Sequence, residues 1–554
     1  MSAERLIYLP LGGAGEIGMN AYVYGYGRAG EERLILVDLG VAFPDMDTTP
    51  GVDLILPDIA WLAERADRLE AVFITHAHED HVGAVAHHYE ALQAPIYARA
   101  FTGNIARRKM AEKGQPEDAV HLASAWPEKI QAGPFSVGFL PVSHSIPESA
   151  ALVIDTPEGR LIHSGDFKLD TNPVVGEPFD ADLWAEVAST GVRALMCDST
   201  NVFSPHPGRS ESEVGPAIQE LVQSAEGMVV ATTFASNVAR VKTLAEAGTR
   251  AGRSIVLLGR AMRRMVEAAV QTGVLSDFPS VVSPEDATQI PRENLMLLVT
   301  GSQGERRAAS AQLARGKYLG LEMKEGDMFL FSSKTIPGNE AGVIRIINQF
   351  SEKGVDVVDD SSGKYHVSGH ANRPDLERLQ DIVKPQMVIP MHGEHRHLRE
   401  HVRLAEAKGR TGIIAVNGTM LNLSGNAPTV EEYIDVTRTY LDGAVKIGAL
   451  DGIVRDRIRM ALNGLVVVTM ILEDDDPLGE PWVELMGLPE TGRSKAALAE
   501  VLEADLGQAV GMAGNKTLMN DDALEELLRK QARKTALDEI GRKPEVVVVI
   551  SRLG

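Results

Sequence analysis

Six residues concentrate the chemistry of this chain: His76-Ala77-His78-Glu79-Asp80-His81. Three imidazoles and a carboxylate within one short loop offer the borderline nitrogen and oxygen donors that suit zinc or manganese. The apolar run 71–74 directly before them reads as a strand, and 82–92 directly after reads as a helix. The cluster therefore falls at a strand-to-helix turn, where sites in α/β folds gather. A chance run of surface histidines is the competing reading. The scarcity of the residue, 15 in the whole chain, disfavours it.

Four donors in one loop are enough to begin two metal sites, and a dinuclear site needs more donors from other strand ends. His144 follows the strand-like 135–142, Asp166 follows 161–165, and His392 follows 387–391. Taken singly, each reads equally well as a structural residue. Their shared placement, where a strand stops and the chain turns, groups them. The single cysteine, Cys197, excludes an intrachain disulfide framework and cysteine-rich zinc sites, and it fits a reducing cytosol. It reads as a buried inert thiol. The remaining histidines have plainer readings: His87 and His88 at a helix surface, His395, His397 and His401 on a solvated helix face, and His163 in the core.

The elements that must position these groups can be read along the chain. A length of 554 residues implies roughly three domains. Runs at 6–11, 33–37, 71–74, 95–98, 135–142, 151–155, 161–164 and 194–197 read as strands with helices between them, a layered α/β sandwich. Past 210 the rhythm changes to strand–helix alternation, with short apolar strands at 228–232, 254–258, 295–300 and 328–332, as in an inserted parallel sheet. Polar chain after 425 reads as irregular. A strand at 465–472, a helix at 521–540 and a strand at 545–550 then suggest a small C-terminal α/β domain.

A formal net charge of −22 argues against binding nucleic acid through a generally basic surface, while leaving room for an arginine-lined cleft. The local cation clusters, Arg107-Arg108-Lys109, Arg260 with Arg263 and Arg264, and Arg306-Arg307 with Arg315 and Lys317, each read as solvated helix faces. The N-terminal residues do not read as a signal peptide, and apolar runs such as 465–472 are too short to span a bilayer.

The His-x-His-x-Asp-His loop with a later His, Asp and His resembles the metallo-β-lactamase superfamily. Further segments resemble its β-CASP ribonucleases: Gly12-Gly13-Ala14-Gly15-Glu16-Ile17-Gly18-Met19-Asn20, Val37-Asp38-Leu39-Gly40, Asp198-Ser199-Thr200-Asn201, Gly301-Ser302-Gln303-Gly304-Glu305, 332–340, Ser368-Gly369-His370-Ala371 and His392-Gly393-Glu394. The C-terminal extension, with Asp442-Gly443 and Arg455-Asp456-Arg457, is similar to that of the bacterial ribonuclease J family. The likeness covers nearly the whole chain. It departs at Gly83-Ala84-Val85-Ala86, where the family usually has Gly-Gly, an aliphatic residue and Pro, and in the atypical stretch 446–450.

The resemblance implies a metallo-β-lactamase αββα sandwich with an inserted β-CASP parallel-sheet domain and a small C-terminal α/β domain. The division expected is 1–208 and 367–425 for the sandwich, 209–366 for the insert, 426–460 for a linker and 461–554 for the C-terminal domain. It implies two divalent metal ions, zinc or alternatively manganese. His76, His78 and His144 hold one, Asp80, His81 and His392 the other, and Asp166 bridges them. It implies catalytic roles for Asp80, His370 and Asp198, and an orienting role for Asp38. Substrate phosphate is expected at His366, Val367, Ser368, Gly369 and His370, with a second contact at Ala235, Ser236 and Asn237. The implied activity is hydrolysis of single-stranded RNA: a 5′-to-3′ exonuclease preferring 5′-monophosphate ends, with endonuclease activity, in RNA maturation and mRNA decay. A cytoplasmic homodimer or dimer of dimers, with RNA-degradation partner proteins and no membrane, completes the expectation.

Overall fold

The computed structural model describes residues 4–553. Two sheets form the body of the larger unit. The first has eight strands, in the order Thr429–Tyr433, Thr419–Asn422, Glu4–Gly12, Ala21–Arg28, Arg33–Val37, Leu69–Ile74, Ile96–Ala98 and Val120–Leu122. The second has seven, in the order Thr411–Gly412, Met387–Met391, Ala194–Asp198, Gly159–His163, Ala150–Thr156, Phe135–Pro141 and Ile130–Ala132. Alternating strand residues such as Leu6, Tyr8, Ile35, Val37, Phe73, Phe139, Leu152, Leu161, Met196 and Ile389 meet between the sheets in one buried cluster. The opposite faces of the second sheet's strands, through Val153, Ile162 and Leu195, pack with Trp184, Leu376, Leu379 and Leu404 of helices. The result is the expected αββα sandwich.

The inserted sheet has five parallel strands in the order Ser254–Leu258, Leu295–Val299, Val229–Thr232, Met328–Phe331, Asp356–Val358. Its first strand, Val229–Thr232, connects toward one edge of the sheet, and its neighbour Met328–Phe331 connects toward the other. The switch point thus lies between the loops after Thr232 and Phe331, the place where parallel sheets open a crevice at their carboxyl ends. Thr233 Oγ1 donates to the Ser332 carbonyl there, at 3.0 Å.

In the smaller unit, Leu465–Glu473 is the central strand, antiparallel to Trp482–Met486 and parallel to Glu545–Leu553. Helices Leu498–Gly511 and Asp521–Ile540 cover one face of that sheet through Leu498, Leu502, Leu506, Leu524 and Leu528. The stretch after 425 is not irregular. It carries the exposed strand Thr429–Tyr433, the hairpin of Arg438–Asp442 with Val445–Gly448, and the helix Ile453–Asn463. Among the described residues no helix is long and apolar enough to cross a membrane.

Candidate active site

The strand Leu69–Ile74 ends at the floor of the site and releases Thr75 and the histidine loop. The neighbouring strand Arg33–Val37 ends at Asp38, whose φ of 61° is the left-handed conformation that non-glycine residues seldom adopt. His392, ending Met387–Met391, shares it at 49°. Such backbone persists only where its surroundings hold it, as they do at ligand clamps. Gly40 shows how close the two loops come. A Cβ there would lie 1.7 Å from the Asp80 carbonyl oxygen, so no other residue fits.

The histidine loop, the strand ends and the long-range residues converge in two overlapping sets. His76, His78, His144 and Asp166 form one; Asp80, His81, Asp166 and His392 form the other. In the first, His78 Nδ1 lies 3.1 Å from both His76 Nε2 and His144 Nε2. Thr75 Oγ1 donates its proton to Asp38 and therefore accepts from His76 Nδ1 at 3.0 Å. His144 Nδ1 donates to the Gly369 carbonyl at 2.6 Å. Both Nε2 atoms consequently present lone pairs inward. Three such nitrogens together repel one another unless a cation lies between them. Tetrahedral zinc, with bonds of about 2.0–2.1 Å, sets its nitrogens roughly 3.3 Å apart, so the donors fit.

In the second set, His81 Nδ1 donates to Asp38 Oδ2 at 2.8 Å and His392 Nδ1 donates to Asn20 Oδ1 at 2.9 Å. Their Nε2 atoms lie 3.2 and 3.3 Å from Asp166 Oδ2, which is also 3.8 Å from His76 Nε2 and 3.9 Å from His144 Nε2. Asp166 is thus common to both sets. Its Oδ1 is buried with no hydrogen-bond partner among the described residues, a carboxylate oxygen left over for a cation.

Electrostatics favour neutral donors in the first set, while the uncompensated carboxylates of the second raise its His81 imidazole. Burial holds His76 and His144 well below the ordinary imidazole range and brings His78 down to about 4, keeping all three neutral as ligation requires. Burial opposes charge on His81 too, but Asp166, Asp80 and Asp38 outweigh it and push that imidazole up. Burial would raise Asp166; His392 and His81 hold it low instead. For His370, burial is overcome by Asp198, whose Oδ2 accepts from Nδ1 at 2.8 Å, so the ring rises to about 9 and is cationic at neutral pH.

The phosphate-binding candidates divide. Gly369 and His370 touch the cluster, and Ser368 stands beside them, accepting from His370 N at 3.1 Å. Ser368 Oγ accepts from Asn201 at 2.8 Å, and a Cβ on Gly369 would come within 2.9 Å of the His144 ring. His366 and Val367 lead into them, His366 pushed down to about 3 by burial and the nearby cations Arg240, Lys334 and Lys168. Ala235, Ser236 and Asn237 lie at the inserted sheet's switch point. Asn237 caps the helix Val238–Arg250 by accepting from Arg240 N. They reach the 366–370 segment through the fully buried Arg240, whose guanidinium holds Glu211 with two nitrogens (2.6 and 3.0 Å) and donates to Ser332 and to the Tyr365 carbonyl.

Several residues went unassigned from sequence. Asn20 is fully buried; its Nδ2 reaches the Asp80 carbonyl at 3.0 Å and its Oδ1 accepts from Tyr22 OH as well as from His392. The only signal was its place at the end of the glycine-rich run. Three histidines differ from their surface reading. His88, His397 and His401 are buried, and His401 bonds Ser199 Oγ at 3.0 Å. The first basic cluster is engaged rather than solvated: Arg107 donates to the Val120 carbonyl, Arg108 reaches Gln271, and Lys109 pairs with Glu79. His163 and Cys197 are buried as expected, His163 bonded to Tyr24 OH at 2.8 Å.

Four family models match the chain in succession: the metallo-beta-lactamase superfamily over 15–206, the ribonuclease J beta-CASP domain over 226–350, the Zn-dependent metallo-hydrolase RNA specificity domain over 363–416 and the ribonuclease J C-terminal domain over 452–553. A solved structure from Enterococcus faecalis, described as a protein of unknown function, superposes with a TM-score of 0.52 at 17% identity over 76% of this chain and all of its own, a likeness of fold. Fold and site together define a metal-dependent hydrolase of the metallo-β-lactamase superfamily. The chain is 40% identical to ribonuclease J of Sinorhizobium meliloti, over 99% of its own length and 98% of the relative's. It is 35% identical to ribonuclease J of Corynebacterium glutamicum, over 94% and 71%, and 34% identical to that of Mycolicibacterium smegmatis, over 98% and 96%. The chain belongs to the ribonuclease J family, and it is a hydrolytic ribonuclease.

Proposed function

We propose that this ribonuclease is a two-metal 5′-to-3′ exonuclease that prefers 5′-monophosphate RNA and also cuts internally, serving RNA maturation and mRNA decay in the cytoplasm. The observation that carries the reading is the meeting of two donor sets on Asp166 beside a cationic His370. His76, His78 and His144 would hold one ion, Asp80, His81 and His392 the other, with Asp166 shared. Zinc suits these donors, and manganese is the alternative. When bound, such ions polarise phosphoryl oxygens and lower the pKa of coordinated water.

The chain's own groups supply the rest. His370, held by Asp198, neutralises charge that builds on the phosphoryl oxygens. Asp80 is the more solvent-open of the two ligand carboxylates, its side chain 29% exposed against 2% for Asp166, and it accepts the proton released during attack. Gly369 brings the backbone against His144, so the 366–370 segment and the first donor set keep one geometry. Together with Ala235, Ser236 and Asn237 it would cap a 5′ phosphate near the scissile bond. In this scheme 209–366 clamps single-stranded RNA against 1–208 and 367–425. Residues 426–460 and 461–554 serve assembly into a homodimer or dimer of dimers and contact with RNA-degradation partners.

The test is a time course on end-labelled RNA with zinc or manganese added. RNA with a 5′ monophosphate is expected to disappear much faster than 5′-triphosphate RNA, releasing mononucleotides. Equal rates would refute the phosphate cap.

A further inference from the structure

Four aromatic side chains are exposed among the described residues: Phe43, Phe203, Tyr433 and Trp482. Phe203 stands on a loop bonded to the active site from two sides. Thr200 Oγ1 donates to the His392 carbonyl at 3.1 Å, and Asn201 Nδ2 donates to Ser368 Oγ at 2.8 Å and to the His370 carbonyl at 3.3 Å. The loop is closed by Ser204 N to the Asn201 carbonyl (2.9 Å), by Arg373 N to the Ser204 carbonyl (3.1 Å), and by Val202, which is fully buried. A ring on so constrained a loop keeps its place.

The ring is 51% exposed, on a loop where Val202 is buried and residues 205–209 are open to solvent. Its inner side rests on His397, with ring centroids 5.4 Å apart and planes at 59°. His397 is only 6% exposed, and burial and Arg396 keep it from charging, so the backing is a neutral aromatic. The Arg396 guanidinium lies 5.5 Å from the ring centroid. Its ion pair is with Glu394 at 3.2 Å, in a largely solvated contact that holds it weakly. An open aromatic face, a buried backing and a solvent-exposed guanidinium make a platform for a planar base beside its phosphate.

We propose that Phe203, backed by His397 and flanked by Arg396, is a stacking site for one nucleobase of the RNA at the rim of the metal centre. Stacking on a phenyl ring tolerates any base, which suits an enzyme that must pass every sequence through one site. The proposal requires only ribonuclease activity and stands apart from the preference for a 5′ monophosphate.

The test measures steady-state hydrolysis of a series of RNAs, each with a single abasic nucleotide at successive positions around the scissile bond. Wild type, Phe203→Ala, Phe203→Leu and Phe203→Trp are compared. A stack of about 1–3 kcal/mol corresponds to roughly 5–150-fold. Phe203→Ala and Phe203→Leu are expected to raise KM for intact RNA by a factor in that range with kcat little changed, and Phe203→Trp to restore it. Wild type is expected to lose the same factor at one abasic position, where Phe203→Ala adds no further loss. Full activity of Phe203→Leu would show that the ring only packs. Losses that multiply at every abasic position would likewise overturn the site. Wild-type hydrolysis of the intact RNA, measured in the same series, keeps the outcome separate from any failure of the exonuclease reading.

Discussion

Replacing Asn20 by alanine removes the side-chain acceptor of His392 Nδ1 and the amide that holds the Asp80 carbonyl, at 2.9 and 3.0 Å. Tyr22 OH loses one partner but keeps the Gly13 carbonyl at 3.2 Å. The net change is therefore one orphaned donor in a fully buried place, worth about 1–3 kcal/mol. Loss of such an outer hydrogen bond to a metal ligand typically costs about 10–100-fold in affinity, or roughly 1.4–2.7 kcal/mol. The two estimates agree, and both fall on the Asp80, His81 and His392 set. Competition with a colorimetric chelator reads this directly. In Asn20→Ala one metal equivalent should be released at about 10–100-fold lower chelator concentration, the other as in wild type. RNA hydrolysis should recover partly in excess metal. Asn20→Asp, which keeps the acceptor, should retain metal better. An alanine variant that holds both equivalents like wild type would refute the reasoning.

Other perturbations have equally definite outcomes. Arg240→Met leaves Glu211 buried and poorly compensated, so denaturant unfolding should show a loss of about 3–5 kcal/mol, which Arg240→Lys should not fully restore; an unchanged transition would contradict the role of that pair. His370→Gln keeps a polar side chain but removes the charge; hydrolysis should fall by about 10²–10³ with metal content unchanged, and activity within a few-fold of wild type would count against it. Truncation after Gly448 should yield a smaller assembly by light scattering, and an unchanged oligomer would exclude the C-terminal region from assembly.

The histidine loop and its distant partners were legible because metal ligation needs particular residue types and because strands with buried faces announce where they end. Strands such as Ser254–Leu258 and Met387–Met391, and the helix Asp521–Ile540, likewise coincide with their apolar patterns. The strand Ala21–Arg28 was hidden by Gly25 and Gly27, which read as turn residues. At Gly25 the neighbouring side chains explain the choice, for a Cβ would meet Ile7 and Leu34 at 2.7 and 2.8 Å. Thr429–Tyr433 is exposed along its length and so has no hydrophobic face to reveal it. His397 and His401, four residues apart, share the buried stripe of a helix with Leu398, Leu404 and Ala405, but its many charged neighbours make both histidines look solvated. Asn20 acts through contacts with residues 60 and 372 positions away, and no local pattern encodes those.

The central claim is that seven side chains gathered from distant strand ends hold two catalytic metal ions. Anomalous scattering from crystals grown with zinc, measured at the zinc edge, tests it most directly. The account predicts two peaks, one bonded to His76, His78 and His144 and the other to Asp80, His81 and His392, with Asp166 bonded to both. A single peak, or two that leave Asp166 unbonded, would contradict it.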